Sequence, residues 1–186
     1  MVAVRVRREN AHSCNRRVTD TSCYKLHLAV CTQTGLPLAW LIATAREPEK
    51  NHVVALADPT LARGSKPQTC SLDKGYDSTP DYEALSARGC APVIPLRAPL
   101  GMKHSTQIAQ QAARRNPIIA RGSDRFRTLY RNRGAVEREF GRLKHDYALA
   151  PLRVRGLERV RLHAHLVMLA RLSLALSRAR AVPLAA

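Results

Sequence analysis

Apolar and polar residues alternate over residues 24–30, where Tyr24, Leu26, Leu28 and Val30 share one side of an extended chain. That period predicts a half-buried strand. Thr34 and Gly35 supply a turn, and residues 36–43 read as the return arm of a hairpin, with Pro37 tolerated near the strand's start. Residues 51–62 have helical spacing, with Asn51 placed to cap them. A break at 64–67 leads to a short strand over 68–73 that ends in a carboxylate, Asp73, just before Gly75 and Tyr76. A helix follows from Ser78 to about Arg88. Residues 91–96 read as a further strand, confined by Pro92 and Pro95 to an edge or a strand end. Residues 124–147 are predicted as one helix capped by Asp124. After a break at 151–156 a last helix runs over 157–180, apolar on most faces in its middle and so expected to be packed. Two stretches are less patterned: residues 2–8 alternate over a short span, and 98–123 have no clear period and read as a loop or reduced insertion. Hairpin, helix, strand, helix, strand and helices predict a mixed α/β domain.

Composition adds a partner. The 186 residues include 31 Lys and Arg against 14 Asp and Glu, a formal charge of +17. On a chain that is 45% apolar, and therefore built to fold, this points to a polyanion, because basic groups displace counterions from phosphate backbones. The basic residues are spread along the chain, which predicts a wide basic surface on the fold itself. The five cysteines, Cys14, Cys23, Cys31, Cys70 and Cys90, have no zinc-ribbon spacing and read as reduced thiols. No signal peptide opens the chain, and Arg171 interrupts the most apolar stretch, 166–176, which is too short to span a bilayer. The expected setting is cytoplasmic, alongside the nucleoid, with no membrane partner.

The candidate chemistry sits at Asp73 and on the 124–147 helix. Asp before glycine is common turn chemistry, yet a strand end is also where α/β sites expose a carboxylate. At about 100° per residue, Tyr130, Arg133, Glu137 and Lys144 fall within roughly 60° of one helical face, beside an apolar stripe of Leu129, Val136, Phe140, Leu143 and Tyr147. Taken alone, a glutamate flanked by Arg and Lys is as well explained by a solvated salt-bridge face.

Tyr130-x2-Arg133-x3-Glu137-x6-Lys144 resembles the Tyr-Arg-Glu-Lys signature of bacterial insertion-sequence transposases of the DDE type. The runs that start at Tyr24 and at Leu72 resemble the same family, in its order and separation, so that the likeness covers about residues 24–97 and 124–180. The resemblance implies a ribonuclease-H-like core, a mixed sheet with flanking helices and a helical C-terminus, over residues 24–180. Residues 1–23 would be an irregular basic segment and 181–186 a tail. It implies that Asp73 and Glu137 are catalytic and hold Mg²⁺ or Mn²⁺, two ions where the site is complete, since such ions favour hard carboxylate oxygens. It implies that Tyr130, Arg133 and Lys144 contact DNA. The partners would be double-stranded DNA, as the element's terminal inverted repeats and its target, and a second copy of the chain in a homodimer.

The chain departs from this pattern at the first Asp, which the family carries on the strand before the hairpin. Upstream of Tyr24 the one aspartate is Asp20, outside any strand pattern. The reading is therefore of an N-terminally truncated frame with its first strand missing or degenerate. Asp20 completes the site only if its segment folds against the sheet beside Asp73 and Glu137. Three functions stay open: a metal-dependent DNA transposase, a catalytically inactive remnant that only binds DNA, and a structure-specific nuclease on the same core.

Overall fold

The computed structural model describes residues 2–10, 23–96 and 119–181, with residues 2–10 described by their backbone. Five strands form one sheet in the order β3-β2-β1-β4-β5. They are β1 (Val2–Asn10), β2 (Cys23–Cys31), β3 (Pro37–Thr44), β4 (Thr69–Leu72) and β5 (Ala91–Val93). The first three form an antiparallel meander, and β4 and β5 run parallel to β1. Five helices accompany them among the described residues: α1 (Val53–Ala62), α2 (Thr79–Ala87), α3 (Asp124–Arg131), α4 (Gly134–His145) and α5 (Leu157–Ala181).

The first strand is neither missing nor degenerate. β1 is nine residues long and occupies the middle of the sheet, paired on one side with β2 and on the other with β4. The short alternation of residues 2–8 is thus the visible part of a central strand, and residues 2–10 are not irregular. The hairpin forms as expected, closed by Gly35 N–H donating to the Cys31 carbonyl at 2.8 Å with Gly35 at φ +69°, a conformation glycine takes without strain. Pro92 lies in β5, the edge strand of the sheet among the described residues, a place where a residue without an N–H is tolerated. Of the loop or insertion expected at 98–123, all but the last five residues lie outside the described residues.

Helices cover both faces. Tyr24, Leu26, Leu28 and Val30 of β2 pack with Val136, Phe140 and Leu143 of α4 and with Val160, Val167 and Met168 of α5. Ala29 faces the other layer, with Val53 and Leu56 of α1, Leu72, and Tyr82 and Leu85 of α2. β2 is consequently buried on both sides and not half-buried: Lys25 and His27, the polar members of its alternation, are 5% and 0% exposed.

Four other expectations are corrected. Asn51 does not cap α1; it lies in a 3-10 turn, Glu49–His52, that leads into the helix. The 124–147 helix is two helices, because Asn132 and Arg133 form a tight turn between α3 and α4. There Arg133 N–H donates to the Tyr130 carbonyl at 3.0 Å and Val136 N–H to the Arg133 carbonyl at 3.1 Å, three-residue steps in place of four. Asn132 and Gly134, both poor helix formers, make this break inexpensive. In addition, α5 packs on one side only. Val160, Ala164, Val167 and Met168 are buried, but Leu162, Leu166 and Leu169 are 60%, 55% and 62% exposed among the described residues.

Ser123, not Asp124, is the residue that caps α3: its hydroxyl accepts the Phe126 N–H at 3.1 Å. Asp124 instead reaches Arg127 in an exposed pair at 2.9 Å. Ser123→Ala is expected to cost about 1 kcal/mol of stability, and Asp124→Ala clearly less. Urea unfolding of the two variants checks the assignment, and equal losses would refute it.

Candidate functional site

Strand alternation sets the first residue of the site. Cys70 and Leu72 of β4 point into the α1–α2 layer, and Ser71, on the other face, donates its hydroxyl to the Leu129 carbonyl of α3 at 3.0 Å. Asp73, two residues on, emerges on the face of Ser71, at the joint between α3 and α4. There Arg133 Nη1 meets Asp73 Oδ1 at 2.6 Å, and Arg133 Nη2 meets Glu137 Oε1, one turn along α4, at 2.9 Å. The two carboxylates are thus gathered on one guanidinium. Burial works against the charge of Arg133, but Asp73, Tyr130 and Glu137 outweigh it and raise its pKa above the ordinary value. The guanidinium lies 5.4 Å from the centre of the Tyr130 ring, which itself stacks on Phe126 at 5.9 Å.

Tyr130, Arg133, Glu137 and Asp73 are therefore brought together as expected, although the first three do not share one helix. Lys144 is set apart: it lies two turns beyond Glu137 on α4, about 10 Å along the axis, and is half-buried.

The turn after Asp73 is held from beneath. Tyr76 N–H donates to the Asp73 carbonyl at 3.0 Å, closing the 3-10 turn Lys74–Tyr76. A Cβ at Gly75 would meet the end of the Glu49 side chain, which would have to move aside. The Tyr76 ring is fully buried, and its hydroxyl hydrogen-bonds His27 Nδ1 at 3.1 Å. Burial, reinforced by His52 and Lys25, lowers the pKa of His27 from 6.5 to about 3, so the ring stays neutral. Burial likewise raises the Tyr76 phenol well above its usual range, with the negative charges of Glu49 and Asp73 adding to it. The His52 ring lies 4.3 Å from that of His27.

Asp73, Tyr130 and Arg133 border a cleft of about 820 Å³, together with Lys25, Lys50 and Lys74. Lys25 is held at its wall, Nζ donating to the Glu47 carbonyl at 2.9 Å with Glu49 at 3.9 Å. Sequence reading missed Lys25, Glu49 and Lys50. Lys25 looked like an outward residue of a half-buried strand, and residues 49 and 50 lie before any periodic segment.

Among the described residues no group of three or more His, Cys, Asp or Glu stands close enough to hold a metal ion. On β1, Val4 pairs with Leu72, the residue before Asp73, whereas the strand's acidic residue, Glu9, pairs with Tyr24. Glu9 lies five steps beyond Val4, about 16 Å of strand, so β1 sets no carboxylate level with Asp73. Asp20 lies outside the described residues.

Fold and site together define a mixed α/β domain with a carboxylate pair at a strand end, beside a basic cleft. Residues 3–173 match the family model of the transposase DDE domain, and the chain belongs to that family. No curated protein matches it. Membership implies an activity connected with DNA cleavage in transposition, with DNA as partner and divalent metal ions as the family's usual cofactor. No helix among the described residues is long and apolar enough to cross a membrane.

Proposed function

We propose that this chain is a ribonuclease-H-like transposase core that takes a DNA strand into the cleft beside Asp73 and cleaves it with the help of a divalent cation. The observation that carries the proposal is the convergence of Asp73 and Glu137 on Arg133, at the end of β4 and the rim of a lysine-lined cleft. The ribonuclease-H-like reading is supported by an antiparallel β1–β2–β3 meander with β4 and β5 added in parallel on the far side of β1.

In this reading Lys25, Lys50 and Lys74 bind backbone phosphates, Arg133 takes a phosphate oxygen pair in its planar fork, and Tyr130 supports the strand. Lys144 contacts DNA further along α4. Asp73 and Glu137 would hold Mg²⁺ or Mn²⁺, whose hard-oxygen preference they satisfy. Such an ion supplies Lewis-acid activation of the phosphodiester. The two carboxylates would supply ligands to one ion. A second would need a further carboxylate, which the described residues do not provide. By family, two copies of the chain would act on two element ends.

A second reading has its own support: with no carboxylate on β1 level with Asp73, the chain binds DNA and leaves it intact. A labelled duplex carrying the element's end, offered with Mn²⁺ to wild type, Asp73→Ala and Glu137→Ala, separates the two. Nicking that both substitutions abolish, with binding retained, is the expected result. Tight binding without nicking by the folded wild type moves the conclusion to the second reading. Absence of salt-sensitive binding overturns both.

A further inference from the structure

We infer that Arg133 is a shared counter-ion: it closes on Asp73 and Glu137 while the cleft is empty, and turns to a DNA phosphate when the cleft fills, so that DNA and a divalent cation assist each other's binding. The inference rests on the proposed site and adds to it a coupling between its two ligands.

The geometry sets up a competition. Arg133 engages Asp73 Oδ1 and Glu137 Oε1 at 2.6 and 2.9 Å, and these oxygens belong to the two side chains that would coordinate a cation. A cation that draws on those oxygens has to take them from Arg133, and one seated beside them is repelled by its charge. The guanidinium also has somewhere to go. Its side chain is 24% exposed and borders the cleft with Lys25, Lys50 and Lys74, where a phosphate would lie. It springs from the turn between α3 and α4 and not from a helix interior, and the Tyr130 ring gives it a face to slide along. A guanidinium pairs bidentately with carboxylate or with phosphate. A phosphate that draws Arg133 away removes its positive charge from both carboxylates and so favours a cation there, and a cation that takes the carboxylates releases Arg133 to a phosphate. Coupling of this kind is reciprocal, each ligand raising the other's affinity by the same factor.

Mn²⁺ binding to the DNA-free chain, followed by the loss of the free-ion resonance signal, tests the competition without relying on cleavage. Arg133→Gln is expected to bind Mn²⁺ at least about fivefold more tightly than wild type. Arg133→Lys is expected to fall between them, since a point-like ammonium cannot hold both carboxylates, and it answers the question alone should the glutamine variant fail to fold. Arg127→Gln removes the same charge from an exposed position on α3 and is expected to change little. Unchanged or weaker Mn²⁺ binding in both Arg133 variants, or an equal gain in Arg127→Gln, overturns the inference. At matched ionic strength Mn²⁺ should also tighten duplex binding by wild type, whereas divalent ions otherwise weaken it by competing for phosphate. Asp73→Ala should lose that gain. A wild type that binds duplex but shows the same weakening as Asp73→Ala overturns the coupling, whereas a wild type that binds no duplex at all overturns the DNA reading beneath it.

Discussion

Glu139→Ala is expected to destabilise the fold by about 3–5 kcal/mol, although Glu139 is remote from the cleft and makes no contact with Arg133 in the ion pairs described above. Its carboxylate is fully buried, and its two oxygens accept from Arg171 Nε at 2.7 Å and Nη2 at 3.2 Å, with Arg142 Nη1 at 3.0 Å. Arg171, 7% exposed, comes from α5, so this pair fastens α5 to α4. Truncating Glu139 leaves a guanidinium in the core with its main acceptor gone, and the cost is that of an unpaired buried charge, not of a lost surface bridge. Replacing both partners, as Glu139→Leu with Arg171→Met, should restore most of the stability, because the desolvation cost of both charges disappears with the pair. Urea unfolding of the three proteins decides the matter. A loss below about 1 kcal/mol for Glu139→Ala would mean that the pair is effectively solvated.

That pair also illustrates where sequence reasoning stops. Arg171 looked like an interruption in an apolar stretch, and its burial could be known only once α5 was placed against α4. The same limit produced the error about the outer face of α5. A run of leucines says that a helix can be packed all round, but not that neighbours exist on every side, and Leu162, Leu166 and Leu169 stay exposed. Period-based signals were legible where they were local. The β2–β3 hairpin, the strand ending at Asp73, the edge position of β5 and the last helix follow from alternation, turn residues and prolines. β1 was underread because a central strand flanked on both sides needs few residues of visible pattern once its partners hold it. The break between α3 and α4 was hidden because three-residue hydrogen-bond steps keep the chain turning in the same sense, so the spacing of Tyr130, Arg133 and Glu137 survives it. That survival is why those residues could be chosen from spacing and still meet Asp73. The lysines around them carry no spacing of their own. They come together from β2, a 3-10 turn and the end of β4, which no local pattern connects.

Acid should weaken this protein through the pair that supports the Asp73 turn. His27 is held neutral in the fold, with a pKa of about 3 against an ordinary 6.5, so below about pH 6.5 the unfolded chain takes up a proton that the folded chain refuses. Stability is therefore full above that pH and falls as pH drops toward the folded value. At pH 4.5, about two units below the unfolded pKa, the loss from His27 alone is on the order of 2–3 kcal/mol. His52, whose pKa burial also lowers against the opposing pull of Glu47, contributes in the same direction. Comparing urea midpoints at pH 7 and pH 4.5 in wild type and His27→Gln isolates the effect. Glutamine keeps a polar group near the Tyr76 hydroxyl without an ionisable ring, so its own acid loss should be smaller by roughly that amount. Parallel losses in the two proteins would show that the pH dependence comes from the carboxylates and that His27 titrates normally. A smaller loss in the variant would tie acid sensitivity to the ring beneath Tyr76, and so to the turn that presents Asp73 to the cleft.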